Sequence, residues 1–411
     1  MHRKGIITWS KPKQGYKLIQ LKSVVSLSSF TYKNIIIIGP AHPLRGGLST
    51  FNHRLAQEFN AQGYHTAIYS FSLQYPGFLF PGTSQYSAEP RPAELDIHTR
   101  INSVNPLNWL SAGRELKKLR PDIIIVRYWI PLMGPCLGTI LRMVKKNHHT
   151  KIICIADNIL PHEKRLGDSW FTRYFINAVD GFITMSEKVM ADLRLFTKDK
   201  PAKQVAHPLY DNFGEKVSMQ EARKKLKIDT DLSVILFFGF IRKYKGLDLL
   251  LDAMKIIADS EMPGTNKIRL LIAGEFYEDK NTYEEQINRL GIRDKLILHT
   301  DFIPDSEVKY YLCAADLLVQ PYRNATQSGV TPLAYHFDLP MVVTNVGGLP
   351  ALVPDNKAGL VAEATAVSLA GKILEYFERG KNHFSPFIAE EKKKLSWAKI
   401  MESIIEVANC K

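Results

Sequence analysis

The sequence predicts an α/β protein of two doubly wound, Rossmann-like domains facing each other across a cleft, and three observations carry that expectation. Wholly apolar runs such as NIIIIG, DIIIVR and KIICIA alternate with helical patterns from Asn34 onward. Strands that are apolar on both faces belong in a parallel sheet covered on each side by helices. The alternation breaks at AHPLYDNFG (Ala206 to Gly214) and restarts with VILFFGF. At 411 residues, 45% hydrophobic and 23% charged, the chain has material for two cores.

In order, the first half reads as strand NIIIIG, a helix from about Leu48 to Gln62, strand TAIYSF and a helix near Leu107 to Leu119. Strand DIIIVR, a helix from about Leu137 to Lys146, strand KIICIA, a helix around Trp170, strand GFITM and a helix from Glu187 to Leu195 follow. After the break comes a polar helix, SMQEARKKLKID, and then strand VILFFGF with helix LDLLLDAMKIIAD, and strand RLLIAG with helix YEEQINRLG. Strand LILHTDF leads to helix SEVKYYLCAA, strand DLLVQP to a polar loop and short helix (ATQSGVTPLAYHF), and strand MVVTNV to closing helices that end in SWAKIMESIIEVA. The runs are too short for helices where they are wholly apolar, and helical where apolar positions recur every three or four residues. The domains are expected at 33–207 and 208–385, with 386–411 as helices returning to the first domain.

The first 32 residues are basic and Ser-rich, and their apolar patches are too short for the central region of a signal peptide. They are expected to be an extension, disordered or foreign to the native chain. No segment approaches the roughly 20 apolar residues of a membrane-spanning helix. Cys136, Cys154, Cys313 and Cys410 form no C-x-x-C pair, so neither zinc site nor disulfide framework is indicated, and a reducing, cytoplasmic setting is expected. The net charge of +13 is uneven, residues 1–205 carrying +15 and residues 206–411 carrying −2. A basic half points to an anionic surface, nucleic acid or lipid headgroups, or simply to solubility. Nucleic acid is disfavoured because no aromatic residues interleave the basic ones.

Two doubly wound sheets in series bind ligands at the carboxyl ends of their strands. Four elements fall there. GPAHPLRGGL (Gly39 to Leu48) places Gly46 and Gly47 between strand one and its helix, either as a tight turn or as a backbone cradle for an anion. It is not G-x-G-x-x-G, which disfavours a dinucleotide. FGFIRKYKGLD (Phe238 to Asp248) sets Arg242 and Lys245 at a strand end, where two fixed cations can neutralise a diphosphate. Ser328, Gly329 and Val330, after Thr326 and Gln327, open a helix whose first amides lack partners, with Ser328 also suited to an N-cap. IADNILPHEK brings Asp157, Asn158, His162 and Glu163 to a strand end where an acceptor hydroxyl or donor sugar would be held.

Taken together, the GG loop, GFIRKYKGLDLLLDA, ATQSGV, TNVGGLP and HPLYDNFG resemble the family 4 glycosyltransferases of GT-B fold, over about Asn34 to Ala408. The resemblance implies a nucleotide-sugar donor held by the second domain and an acceptor held by the first. It implies transfer to a hydroxyl with retention and without metal or cofactor, in glycan or envelope polysaccharide synthesis. It further implies that Arg242 and Lys245 grip the donor diphosphate, with Gly46, Gly47, Glu275, Thr326, Gln327, Ser328, Gly329 and Val330 around the donor. Asp157 and His162 would then act on the sugar or acceptor side, with Asn158 and Glu163 beside the acceptor, and the Trp397 helix would cross back onto the first domain.

The chain departs from the family pattern. Its pair of glutamates, with seven residues between them, would fall at Thr326 and Ala334, and neither is acidic; the usual histidine after the N-domain strand is replaced by Asp157, and the usual arginine by Phe240. Rival readings are a non-catalytic partner subunit, motivated by the lost glutamates, and a nucleotide-sugar epimerase or hydrolase, which needs a carboxylate cluster. Two helices with basic and apolar faces, Trp109 to Leu119 and Leu137 to Lys146, are expected to suit an anionic leaflet and a lipid-linked acceptor.

Overall fold

A computed structural model of the chain describes residues 32–77, 80, 82–160, 166–325 and 328–410. Residues 1–31 of the extension, with His162, Glu163, Thr326 and Gln327, lie outside the described residues.

Among the described residues the strands form two parallel sheets. The first contains β1 (Asn34–Ile38), β2 (His65–Leu73), β3 (Asp96–Asn102), β4 (Ile123–Tyr128), β5 (Lys151–Ala156), β6 (Gly181–Thr184) and β7 (Ala202–Gln204), in the order β3-β2-β1-β4-β5-β6-β7. The second contains β8 (Ser233–Phe238), β9 (Ile268–Ala273), β10 (Leu296–His299), β11 (Leu317–Gln320), β12 (Met341–Thr344) and β13 (Gly359–Ala362), in the order β10-β9-β8-β11-β12-β13. Each order reverses once, beside β1 and β4 in one lobe and beside β8 and β11 in the other. Those reversals open the crevices in which α/β sheets bind ligands.

The central strands behave as their composition demands. All six residues of β4 are buried, as are Ile35 to Ile38 of β1, because helices cover both faces. Three strands have no counterpart in the sequence reading: β3, β7 and β13. Each is the outermost strand at a sheet edge, and β3 (DIHTRIN) alternates between exposed and buried positions instead of forming an apolar run.

The helix Leu247–Ala258 buries one apolar face, and Gly134–Lys145 buries Cys136, Leu137, Ile140, Leu141 and Val144. The second observation corrects one expectation: the apolar face of that helix is core, not a surface for lipid. Its neighbour, Pro106–Leu119, packs against it but leaves Leu107 and Leu119 exposed. The last helix, Trp397–Asn409, crosses back as the resemblance implied. It lies on β5, β6 and β7, the Trp397 indole donating to Leu209 O (2.7 Å) and the Tyr32 hydroxyl to Ala408 O (3.3 Å). Trp397 also packs on Phe51, 4.8 Å between ring centroids, which fixes the connecting segment to the N-terminal lobe.

Candidate active site

The carboxyl ends of the two sheets face a cleft of ≈ 990 Å³, open to solvent. Its C-terminal wall begins where β8 ends. Gly239 has φ 99° and Gly274, just after β9, has φ 141°; a Cβ on Gly274 would stand 2.3 Å from Gly239 O, and one on Gly239 2.9 Å from Lys245 Nζ. Only glycine lets the two strand ends meet and leaves room for the lysine head. Lys245 closes a single 3₁₀ turn (Lys243–Lys245) ahead of the helix Leu247–Ala258 and is 8% exposed. Its ammonium stands 5.7 Å from the Tyr322 ring centroid, and among the described residues no oxygen accepts a hydrogen bond from it. Burial, reinforced by the nearby Arg242 charge, pushes its pKa below the ordinary lysine value. Arg242 is exposed and outside the lining of the cleft, its guanidinium 5.0 Å from the Tyr277 ring.

On the same wall the helix after ATQSG spans Val330–His336. Ser328 Oγ accepts from the Val330 amide (3.2 Å) and from Gln320 Nε2 (2.6 Å), while Gln320 Oε1 accepts from Thr331 Oγ1 (2.8 Å). Ser328 thus accepts from the first helical amide and is tied into a buried network, so the Val330 amide is already occupied, in keeping with the capping role the sequence allowed. Gly329 borders the cleft next to Tyr210. Leu333 lines the cleft, whereas Ala334, about 100° further round the helix, is fully buried in the core.

The N-terminal wall is the start of the helix Gly47–Ala61, where Gly46 (φ 101°) and Gly47 both line the cleft. Glu275 lines it too, but its carboxylate is spoken for. Arg45 Nη2 donates to Oε2 (2.6 Å), and the Thr83 amide and hydroxyl donate to Oε1 (2.8 and 2.6 Å). Thr50 Oγ1 donates to Asp305 Oδ2 (2.6 Å) and the Ser306 amide to Glu89 Oε1 (3.0 Å), so these three contacts clasp one lobe to the other. Glu275 is a clasp residue, not an open donor contact.

Asp157 does not line the cleft. It is 6% exposed at the end of β5, with Arg127 of β4 donating from Nε to Oδ2 (3.0 Å) and from Nη2 to Oδ1. Burial pushes its carboxyl above the usual range against the pull of Arg127. The Arg127 guanidinium also stacks 4.1 Å from the Phe51 ring. Asp157 is therefore one half of a buried pair beneath the cleft. Asn158 follows it, half-buried.

The sequence reading missed the aromatic lining, Tyr210, Phe238, Phe240, Tyr244, Phe302 and Tyr322, together with Asp305. Phe302 and Asp305 sit just beyond a strand end in HTDFIPD, a position that itself marks a site in this fold class. Among the described residues no three His, Cys, Asp or Glu side chains are grouped to hold a metal ion.

Comparison with known proteins agrees with this geometry. Residues 45–205 match the family model described as "Glycosyltransferase Family 4" and residues 233–379 the one described as "Glycosyl transferases group 1". A D-inositol 3-phosphate glycosyltransferase of Mycolicibacterium smegmatis is 28% identical over 51% of this chain and 48% of its own length. The chain spans a third to a half of the length of this relative and of its counterpart from Segniliparus rotundus. Among solved structures, sucrose-phosphate synthase from Thermosynechococcus elongatus superposes with TM-score 0.68 at 15% identity, covering 91% of this chain and 98% of the other. Anabaena HepE in complex with UDP and glucose gives 0.67 at 14% identity, covering 91% and 98%. The chain belongs to the family 4 glycosyltransferases and has the GT-B fold.

Proposed function

We propose that the protein transfers a sugar from a nucleotide diphosphate sugar to a hydroxyl acceptor, with retention and without a metal, in glycan or envelope polysaccharide synthesis. The observation that carries this reading is Lys245: a buried ammonium on the cleft wall, without an acceptor among the described residues, opposite the glycine start of the helix Gly47–Ala61. A buried charge without a counter-ion costs several kcal/mol in general, and a diphosphate would supply that counter-ion. As the glycosidic bond breaks, negative charge grows on the departing β-phosphate. A cation fixed there stabilises the transition state more than the ground state. Arg242 at the rim would add the second charge, and a structural neighbour in complex with UDP and glucose supports a nucleotide-linked donor.

The acceptor side falls to the N-terminal lobe, around Asn158 and the segment containing His162 and Glu163. For a lipid-linked acceptor, exposed Leu107, Leu119, Leu166 and Trp170, with Lys117 and Lys118 nearby in sequence, would lie on anionic headgroups at the cytoplasmic face. Among the described residues no helix is long and apolar enough to cross a membrane.

The test is a panel of nucleoside diphosphates and nucleotide sugars scored by thermal unfolding in chelator. A ligand at 100 times its dissociation constant adds about 2.7 kcal/mol. Stabilisation by one nucleotide family is expected; none across the panel refutes the reading.

A further inference from the structure

The family's two glutamate positions are held here by Thr326 and Ala334, yet the donor cleft is not without carboxylates. Among the described residues two line it, Glu275 and Asp305. Both oxygens of Glu275 are engaged by Arg45 and Thr83. Asp305 differs: Oδ2 accepts from Thr50 Oγ1 at 2.6 Å, and among the described residues no group donates to Oδ1.

The position of Asp305 along the cleft narrows what it can meet. Thr50 lies one helical turn in from Gly46 and Gly47, so the carboxylate bonded to it stands near the corner that would receive a diphosphate. Ile303 and Val308 of the same segment, with Phe238 and Leu333, give the cleft apolar lining suited to a base. In a nucleoside diphosphate the group that joins base to phosphate is the ribose, whose vicinal hydroxyls are hydrogen-bond donors. A carboxylate with one oxygen free is the matching acceptor. Burial holds the Asp305 carboxyl above its ordinary range, with the nearby Glu89 charge adding to the rise. Donors from a ligand would relieve that cost.

Resting on the donor reading above, we infer that Asp305, on the loop after β10, accepts hydrogen bonds from the ribose hydroxyls of the donor nucleotide. The contact would make Asp305 a specificity residue for ribonucleotides over deoxyribonucleotides.

Calorimetric titration of the full chain with UDP and with 2′-deoxyuridine diphosphate tests this on the wild type, Asp305→Asn and Thr50→Val. The wild type is expected to prefer UDP by roughly 10- to 100-fold, the range of a hydrogen bond to a charged group. Asp305→Asn is expected to lose that preference, and Thr50→Val, which removes the clasp hydroxyl and keeps the carboxylate, to retain it. Equal weakening of both nucleotides in Asp305→Asn assigns the residue to the clasp alone and overturns the inference. So does a preference that survives the substitution, a wild type that never had one, or a loss of base preference (UDP against GDP) in its place. A wild type that binds neither nucleotide but binds GDP or ADP moves the same comparison to that base. One that binds no nucleoside diphosphate overturns the donor reading itself and the inference with it.

Discussion

At the carboxyl end of β4, Arg127 is buried against both carboxylate oxygens of Asp157; in the turn after β8, Lys245 is buried with no oxygen accepting from it among the described residues. Each cation lies near the crevice of its own sheet, Arg127 on β4 and Lys245 in the turn after β8. Their difference lies in where the counter-charge comes from. The N-terminal lobe supplies its own, so Arg127 and Asp157 complete the fold. The C-terminal lobe leaves Lys245 to be completed from outside, which is what a binding site for an anion requires.

Breaking the paired corner should have the largest effect. Arg127→Leu leaves Asp157 buried without its partner and is expected to cost about 3–5 kcal/mol of stability. Adding Asp157→Leu should recover much of that loss, a coupling that a double-mutant cycle on chemical unfolding reads directly. If the two substitutions are additive, the pair is not the closed unit described.

The unpaired corner should respond in the opposite way. Lys245→Met is expected to lower turnover by about 10²–10³-fold, the usual cost of removing one fixed donor to a developing anion. The ligand-free protein should unfold no more easily than the wild type, because a buried charge without an acceptor has been removed. A variant that turns over normally, or that unfolds early, would show Lys245 to be structural like Arg127.

The clasp joining the two walls lies between these extremes. Glu275→Ala removes the acceptor of Arg45 and of the Thr83 amide and is expected to cost about 1–3 kcal/mol. Hydrogen exchange at the Thr83 amide should accelerate in step with the loss, and unchanged protection there would mean that the clasp does not hold in solution.

A pH dependence sharpens the paired side further. Burial, aided by Arg127, lowers the His207 pKa from 6.5 to about 4. A depressed histidine contributes stability that is present above pH 6.5 and is lost as the pH falls through about 4. The expected slope is about 1.4 kcal/mol per pH unit within that window. His207→Phe should lack this component, so stability curves of variant and wild type that run parallel from pH 6.5 down to 4 would contradict it.

What the sequence made legible follows from locality. Central strands such as IIIVRY announce themselves because burial on both faces demands an unbroken apolar run, and Lys245 was legible because strand, turn and helix are contiguous around it. Edge strands such as AKQ (β7) were not, because one side of an edge strand needs no apolar partner. Asp157 and Glu275 each make an ion pair that the sequence did not show, for one shared reason. Each stands at a strand end, as a site residue would, and each is neutralised by an arginine distant in sequence: Arg127, 30 residues away, and Arg45, 230 away. A single sequence marks a charged group at a strand end and gives no sign of a partner brought to it by the fold.

The account stands on Lys245 being a buried cation that an incoming diphosphate completes. Its protonation can be followed directly, by NMR of the lysine side chain through a pH titration, with and without a saturating nucleoside diphosphate identified by the stability panel. In the free protein Lys245 should titrate below the ordinary lysine value of 10.5, as burial dictates. On adding the ligand its pKa should rise, because an anion against the ammonium favours the charged form. A pKa that stays where it was while the nucleotide binds would contradict the account.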